Sequence, residues 1–186
     1  MAFPESWHVR SRSRECSVTE VRFKEGDIII TALFPDPESS GYLRKDFSEK
    51  AWKELPEDDK NAFSYWKTKF TPVAAVENVQ TVTKQSAEDL LRTMVEEDQE
   101  HTENTRYILA VMLERQKLLR ETDTQSTAGG ILRIYEHRKT GEVYIVKDPN
   151  IPLDEVEKIQ EEVIQLLSPP APEINSGEMN PNTQVG

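Results

Sequence analysis

Residues 28–34 read IIITALF, a stretch of strand length with no charge and with β-branched side chains at its first four positions. Apolar residues stand at odd and even positions alike, so the run predicts a strand buried on both faces rather than one with a wet side. Before it, FKEGDI supplies a turn in which Gly26 is free to take a positive φ. With CSVTEVRF ahead of that turn, residues 16–34 read as two short apolar strands.

FPDPESSGYLRKDF predicts a loop and then a short strand, and Ser48 is placed to N-cap a helix over SEKAWKEL. Ala51, Trp52 and Leu55 would share one face of that helix before Pro56 stops it. NAFSYWKTKF brings Phe63, Tyr65, Trp66 and Phe70 close together. A small head with little aliphatic material needs such rings as core, because each buries ~150–250 Å².

In the second half, Ser86 and Asp89 have capping-box spacing ahead of Leu90, Leu91, Met94 and Val95. TRYILAVMLERQKLLRE is apolar on nearly every side through Leu113, which predicts a central helix whose charged later turns, around Leu118 and Leu119, reach solvent. TDTQSTAGG reads as a breaker. ILRIYEH, RKTG and EVYIVKD then predict a hairpin, and IPLDEVEKIQEEVIQLL predicts a last helix with Val156, Ile159, Val163 and Leu166 on one face.

The expected fold class is therefore α+β, a small β-rich head followed by an α-α-β-β-α unit, since sequential strands leave the helices to one side of their sheet. The expected divisions are a polar arm (1–13), a head (14–71), a linker (72–84), the helix-helix-hairpin-helix unit (85–168) and a disordered tail (169–186). The tail, PPAPEINSGEMNPNTQVG, lacks a periodic apolar pattern that could offset the entropy of ordering it.

The formal charge is −11, and it is uneven: residues 1–70 hold 12 Lys/Arg against 13 Asp/Glu, residues 71–186 hold 11 against 21. Such a surface repels phosphate backbones. The local exception is RSRSR, where Arg10, Arg12 and Arg14 form a basic, solvated arm. No run approaches the ~18 apolar residues of a membrane span, and the first residues lack the apolar core of a signal peptide. A cytoplasmic location is expected, and a lone cysteine fits a reducing compartment.

Catalytic patterns are absent from the sequence. His8, His101 and His137 fall in an arm, an interhelical turn and a hairpin end, without a Gly-x-Ser-x-Gly context. Gly129 and Gly130 lead into a strand, the wrong order for cradling phosphate. The acidic clusters EEDQE and PEDD suit helix ends. No enzymatic activity and no cofactor are expected.

The phrases ECSVTEVRFKEGDIIITALF, YLRKDFSEKAW and AFSYWKTKF, with RYILAVMLERQKLL and YEHRKTGEVYIVKDPNI, resemble a group of uncharacterised bacterial proteins over residues 14–167. In that group the head is a four-cysteine, zinc-ribbon-like unit, with one Cys-x-x-Cys before the first strand pair and another just before the tryptophan. The resemblance implies ligand positions at Cys16, Thr19, Ser48 and Ala51. One thiol, two hydroxyls and a methyl cannot make a structural zinc tetrahedron, so a metal-free head is expected, held by Phe47, Trp52, Phe63 and Trp66.

The functional expectation is a non-catalytic adaptor that binds another protein, with Trp52, Tyr65 and Trp66 of the head as interaction residues. The alternative is nucleic-acid or transcription-associated binding through the head and Arg10, Arg12 and Arg14.

Overall fold

The computed structural model describes residues 8–9, 12–39, 41–72 and 86–168. Most of the expected arm including Arg10, nearly all of the expected linker, and the expected tail lie outside the described residues. In chain order the elements are β1 (His8–Val9), β2 (Ile28–Pro35), β3 (Tyr42–Ser48), α1 (Glu49–Glu54), a 3-10 turn (Glu57–Lys60) and β4 (Ser64–Lys69). There follow α2 (Ala87–Glu97), a second 3-10 turn (Glu100–Thr102), α3 (Glu103–Arg115), β5 (Leu119–Thr127), β6 (Gly130–His137), β7 (Val143–Asp148) and α4 (Leu153–Leu167). The class is α+β. Its strands form two antiparallel sheets, β3-β2-β4 and β1-β7-β6-β5.

β2 is the centre of its sheet and is covered on both faces. Ile30 and Ala32 pack with Cys16, Phe47 and Ala51, and Phe23, Phe34, Trp52 and Leu55 surround them. Leu33 faces the other way. With Trp66 it meets Leu132, Ile134, Val143 and Ile145 of the four-stranded sheet, so the two sheets stack face to face. The far side of the four-stranded sheet, through Tyr135, Tyr144 and Val146, packs on Leu91, Val95, Leu109, Leu113, Ile159 and Val163 of the helices. The layers thus run from α2–α4 through two sheets to α1 and the Cys16 turn.

The five aliphatic side chains between the sheets contribute on the order of 10 kcal/mol of transfer free energy before conformational entropy is charged. That term joins the two halves of the sequence in one core.

Several local expectations are corrected. CSVTEVRF is a tight turn and not a strand: Glu15 and Arg22 form a single bridge, Cys16 N–H donates to Val21 O at 3.0 Å, and Glu20 takes φ 56°. TDTQSTAGG does not break the chain, since most of it is β5, paired along β6 with a register shift between Glu121 and Asp123. α3 stops early because Lys117 takes φ 61°. Lys117 N–H donates to Glu114 O at 2.8 Å and Leu118 N–H to Leu113 O at 3.0 Å, the two bonds of a Schellman ending. Leu119 is therefore buried at the start of a strand rather than carried out to solvent on a helix. In α4 the expected face residue Leu166 is exposed, while Leu167 packs on the core.

Candidate functional site

The space between the sheets is apolar around Leu33 and Trp66 and ionic beyond them. Asp46 of β3 accepts from Thr31 Oγ1 of β2 (2.6 Å), from the Ser13 backbone N–H (2.8 Å) and from Arg44 Nε (3.1 Å). Glu136 of β6 accepts from Arg12 Nη2 (2.8 Å), Arg120 Nη2 (2.8 Å) and Thr68 Oγ1 of β4 (3.1 Å). The Arg44 and Asp46 side chains are 2% and 0% exposed, and those of Arg12 and Glu136 are 4% and 3% exposed. Buried ions persist only when further hydrogen bonds complete their shells, and each carboxylate here takes donors from three residues. With three guanidiniums to two carboxylates, the excess positive charge sits at Arg120, the member that reaches solvent.

Gly141 closes this cluster. Its φ is +71°, and a Cβ there would lie 2.3 Å from Arg12 Nε, so the guanidinium rests on the glycine backbone. Arg44 Nη1 donates to the Gly141 carbonyl from the opposite sheet. The Arg12 side chain is thus a structural ion. Its expected place in a solvated arm is corrected: Ser13 and Arg12 are built into the sheet sandwich.

Outside the cluster opens a cleft of about 840 Å³, lined by Arg12, Arg14, Glu15, Arg22, Phe23, Phe70, Thr140 and Glu142 among others. Phe23 and Phe70 form its rings, 5.5 Å between centroids. Arg14 and Arg22 are exposed, and neither guanidinium has an ion pair or hydrogen bond among the described residues. Phe23 N–H donates to Arg14 O at 2.9 Å, which places the two residues on one short ladder.

The four positions matched to zinc ligands lie together. Cys16 Sγ is 3.9 Å from Ser48 Oγ and accepts from Ser48 N–H at 3.4 Å, while Ser48 Oγ caps α1 by accepting from Ala51 N–H at 3.1 Å. A sulfur-ligated zinc with bonds of about 2.3 Å has tetrahedral edges of about 3.8 Å, close to the single Cys16–Ser48 separation. The donors do not suit a metal: Ser48 Oγ is spent on the helix cap and Ala51 has no donor atom. Cys16 is fully buried. Burial raises its pKa, but hydrogen bonds from the Thr19 side chain and from backbone N–H groups at Ser48, Thr19 and Val18 outweigh it and bring the thiol down to about 7.

The aromatic candidates separate. Trp66 is 7% exposed and belongs to the inter-sheet core with Phe63, whereas Phe47 and Trp52 pack beside Cys16 on the other face. Only the latter two can substitute for an ion there. Tyr65 is exposed and stacks on Trp52 with centroids 5.1 Å apart.

Of the histidines, His101 is exposed on the second 3-10 turn and His137 is buried at the end of β6. His137 Nδ1 accepts the Thr140 backbone N–H at 3.0 Å, and Thr140 Oγ1 donates to Glu142 at 3.0 Å. His137 Nε2 lies 3.4 Å from Glu88 without hydrogen-bond geometry. The hydroxyl–imidazole–carboxylate array is local to the β6–β7 turn and closes it. Among the described residues no group of three or more His, Cys, Asp or Glu is placed to hold a metal ion. Nor is any helix there long and apolar enough to cross a membrane.

Sequence reasoning missed Arg44, Asp46, Arg120 and Glu136. No family model, no curated protein and no solved structure matches the chain.

Proposed function

We propose that the protein is a non-catalytic interaction adaptor with a metal-free, ribbon-like head, and that its partner is another protein bound at the Arg14–Arg22 cleft. The carrying observation is the pairing of two cations, without an ion pair or hydrogen bond among the described residues, with two rings in a cleft of ligand-binding size. The buried carboxylates, by contrast, are each engaged by donors from three residues of the chain itself. His137 Nδ1 is occupied by its turn. The likeness to bacterial proteins with four-cysteine heads belongs to the same proposal, and the clustering of Cys16, Thr19, Ser48 and Ala51 supports it.

Nucleic-acid binding is the second reading. Exposed arginines beside rings favour it, and the net charge of −11 opposes it. A photo-crosslinking residue at Val21, which is 64% exposed and adjacent to Arg22, separates the two. Irradiation in the native cell is expected to give a discrete protein adduct. Adducts that nuclease removes would establish the second reading instead, and no adduct would remove both.

A further inference from the structure

The partner's chemistry follows from how the chain disposes of its own arginines. Arg12, Arg44, Arg92, Arg106, Arg120 and Arg133 each meet a carboxylate within 3.2 Å. Arg14, Arg22, Arg115 and Arg138 meet none among the described residues, and of these four only Arg14 and Arg22 line the cleft. They stand on a turn whose ends are tied together by Phe23 N–H to Arg14 O and which is tied to β3 by Ser17 N–H to Asp46 O. The two residues are thereby fixed in backbone position with no counter-ion among the described residues, so that only their side chains need be ordered on pairing with one.

The surroundings choose between kinds of anion. Glu15 and Glu142 share the cleft with the arginines. A continuous polyphosphate would lie against those carboxylates as well, whereas a peptide can space its acidic residues to meet only the arginines. The Phe23 and Phe70 rings add an apolar surface that a peptide side chain can cover. The geometry points to a short acidic peptide segment of the partner as the occupant, its carboxylates paired with Arg14 and Arg22 and an apolar side chain against Phe23. This assignment rests on the adaptor reading above and specifies its ligand.

The test is selection of short random peptides displayed on phage against the full chain, with counter-selection on the Arg14→Glu/Arg22→Glu variant. Both residues are exposed, and circular dichroism checks that the variant keeps its fold. The expected result is a set of peptides with two or more Asp or Glu flanking an apolar residue. Synthetic copies should bind the wild type at least about tenfold more tightly than the charge-reversed variant, and binding should weaken with salt. Reversing the peptide's acids to lysine should restore binding to the variant. Failure to select peptides, selection without acidic residues, equal binding by the variant, or tighter binding of a single-stranded oligonucleotide run in parallel would each overturn the assignment. A Val21 crosslink to a protein without any selected acidic peptide would leave the adaptor reading standing and sink this one; absence of both would sink the two together.

Discussion

Arg12 and Glu136 are bonded at 2.8 Å across 124 positions of sequence, their side chains 4% and 3% exposed. Arg120 shares the same carboxylate at 2.8 Å, and the nearest Arg44 nitrogen lies 3.9 Å away. One side chain of β6 therefore balances cations from the N-terminal segment, from β3 and from β5.

Removing that carboxylate leaves buried positive charge without compensation. Glu136→Ala should cost about 3–5 kcal/mol, and Glu136→Gln most of the same, because the amide keeps the shape but not the charge. Urea unfolding measures this. A loss below about 1 kcal/mol would mean that water already screens the cluster.

The shared core predicts a single unfolding event. With Trp7 replaced by Phe, fluorescence of Trp52 and Trp66 reports on the three-stranded sheet, and far-ultraviolet circular dichroism is dominated by α2–α4. The two traces should coincide in urea. Separate midpoints would show that the head and the helical half fold independently.

Cys16 gives a pH dependence with a definite sign. Its thiol lies at about 7 in the fold against an ordinary value of 9.0, so the unfolded chain holds the proton more tightly. Stability should rise as pH increases from about 7 to about 9 and lose that increment, of order 2 kcal/mol, as pH falls through 7. Cys16→Ser should flatten this slope. Because the residue is fully buried, alkylation by iodoacetamide should be slow in native protein and fast in urea.

Zinc should be missing from native, untagged protein by elemental analysis. The clustering of the four positions makes a gain experiment available: the Thr19→Cys/Ser48→Cys/Ala51→Cys variant should take up about one zinc per chain and resist unfolding until chelator is added. Tight zinc in the wild type, or none in the triple variant, would contradict the account of Cys16.

Gly141→Ala should destabilise by at least about 1–2 kcal/mol, since the residue holds φ +71° and the added methyl would lie 2.3 Å from Arg12 Nε. Thermal melts read the loss. Combining it with Arg12→Ala should cost less than the sum, because the clash and the salt bridge share one guanidinium.

The strands of strong pattern were legible because their periodicity states burial directly. IIITALF predicted cover on two faces, and β2 has it; ILRIYEH and EVYIVKD predicted a hairpin, and β6 and β7 form one. Ser48 and Ser86 cap α1 and α2 as their spacing suggested. β5 was hidden because LRETDTQST is polar, and an edge strand needs no apolar alternation when its backbone pairs along β6. The end of α3 was hidden because a lysine, not a glycine, occupies the left-handed position.

The ionic cluster was hidden for a different reason. Leu132, Ile134 and Glu136 alternate onto one face of β6, so the inward direction of Glu136 was readable. What could not be read is that Arg12 and Arg120 would arrive from remote segments to meet it. Charged residues in strands default to solvent, and only their partners' positions reverse that default.

β1 and β7 pair at His8–Tyr144 and Val9–Val143, and this closure has a consequence for synthesis. When β4 ends at Lys69, the strands that will cover its sheet have not been made, and β7 ends only at Asp148. At ~5–20 residues per second the interval is on the order of ten seconds. Throughout it Leu33 and Trp66 await their lid, and Arg12 awaits its anion. The nascent front of the chain must therefore survive as an unfinished half, and translation speed between codons 70 and 148 becomes a determinant of yield.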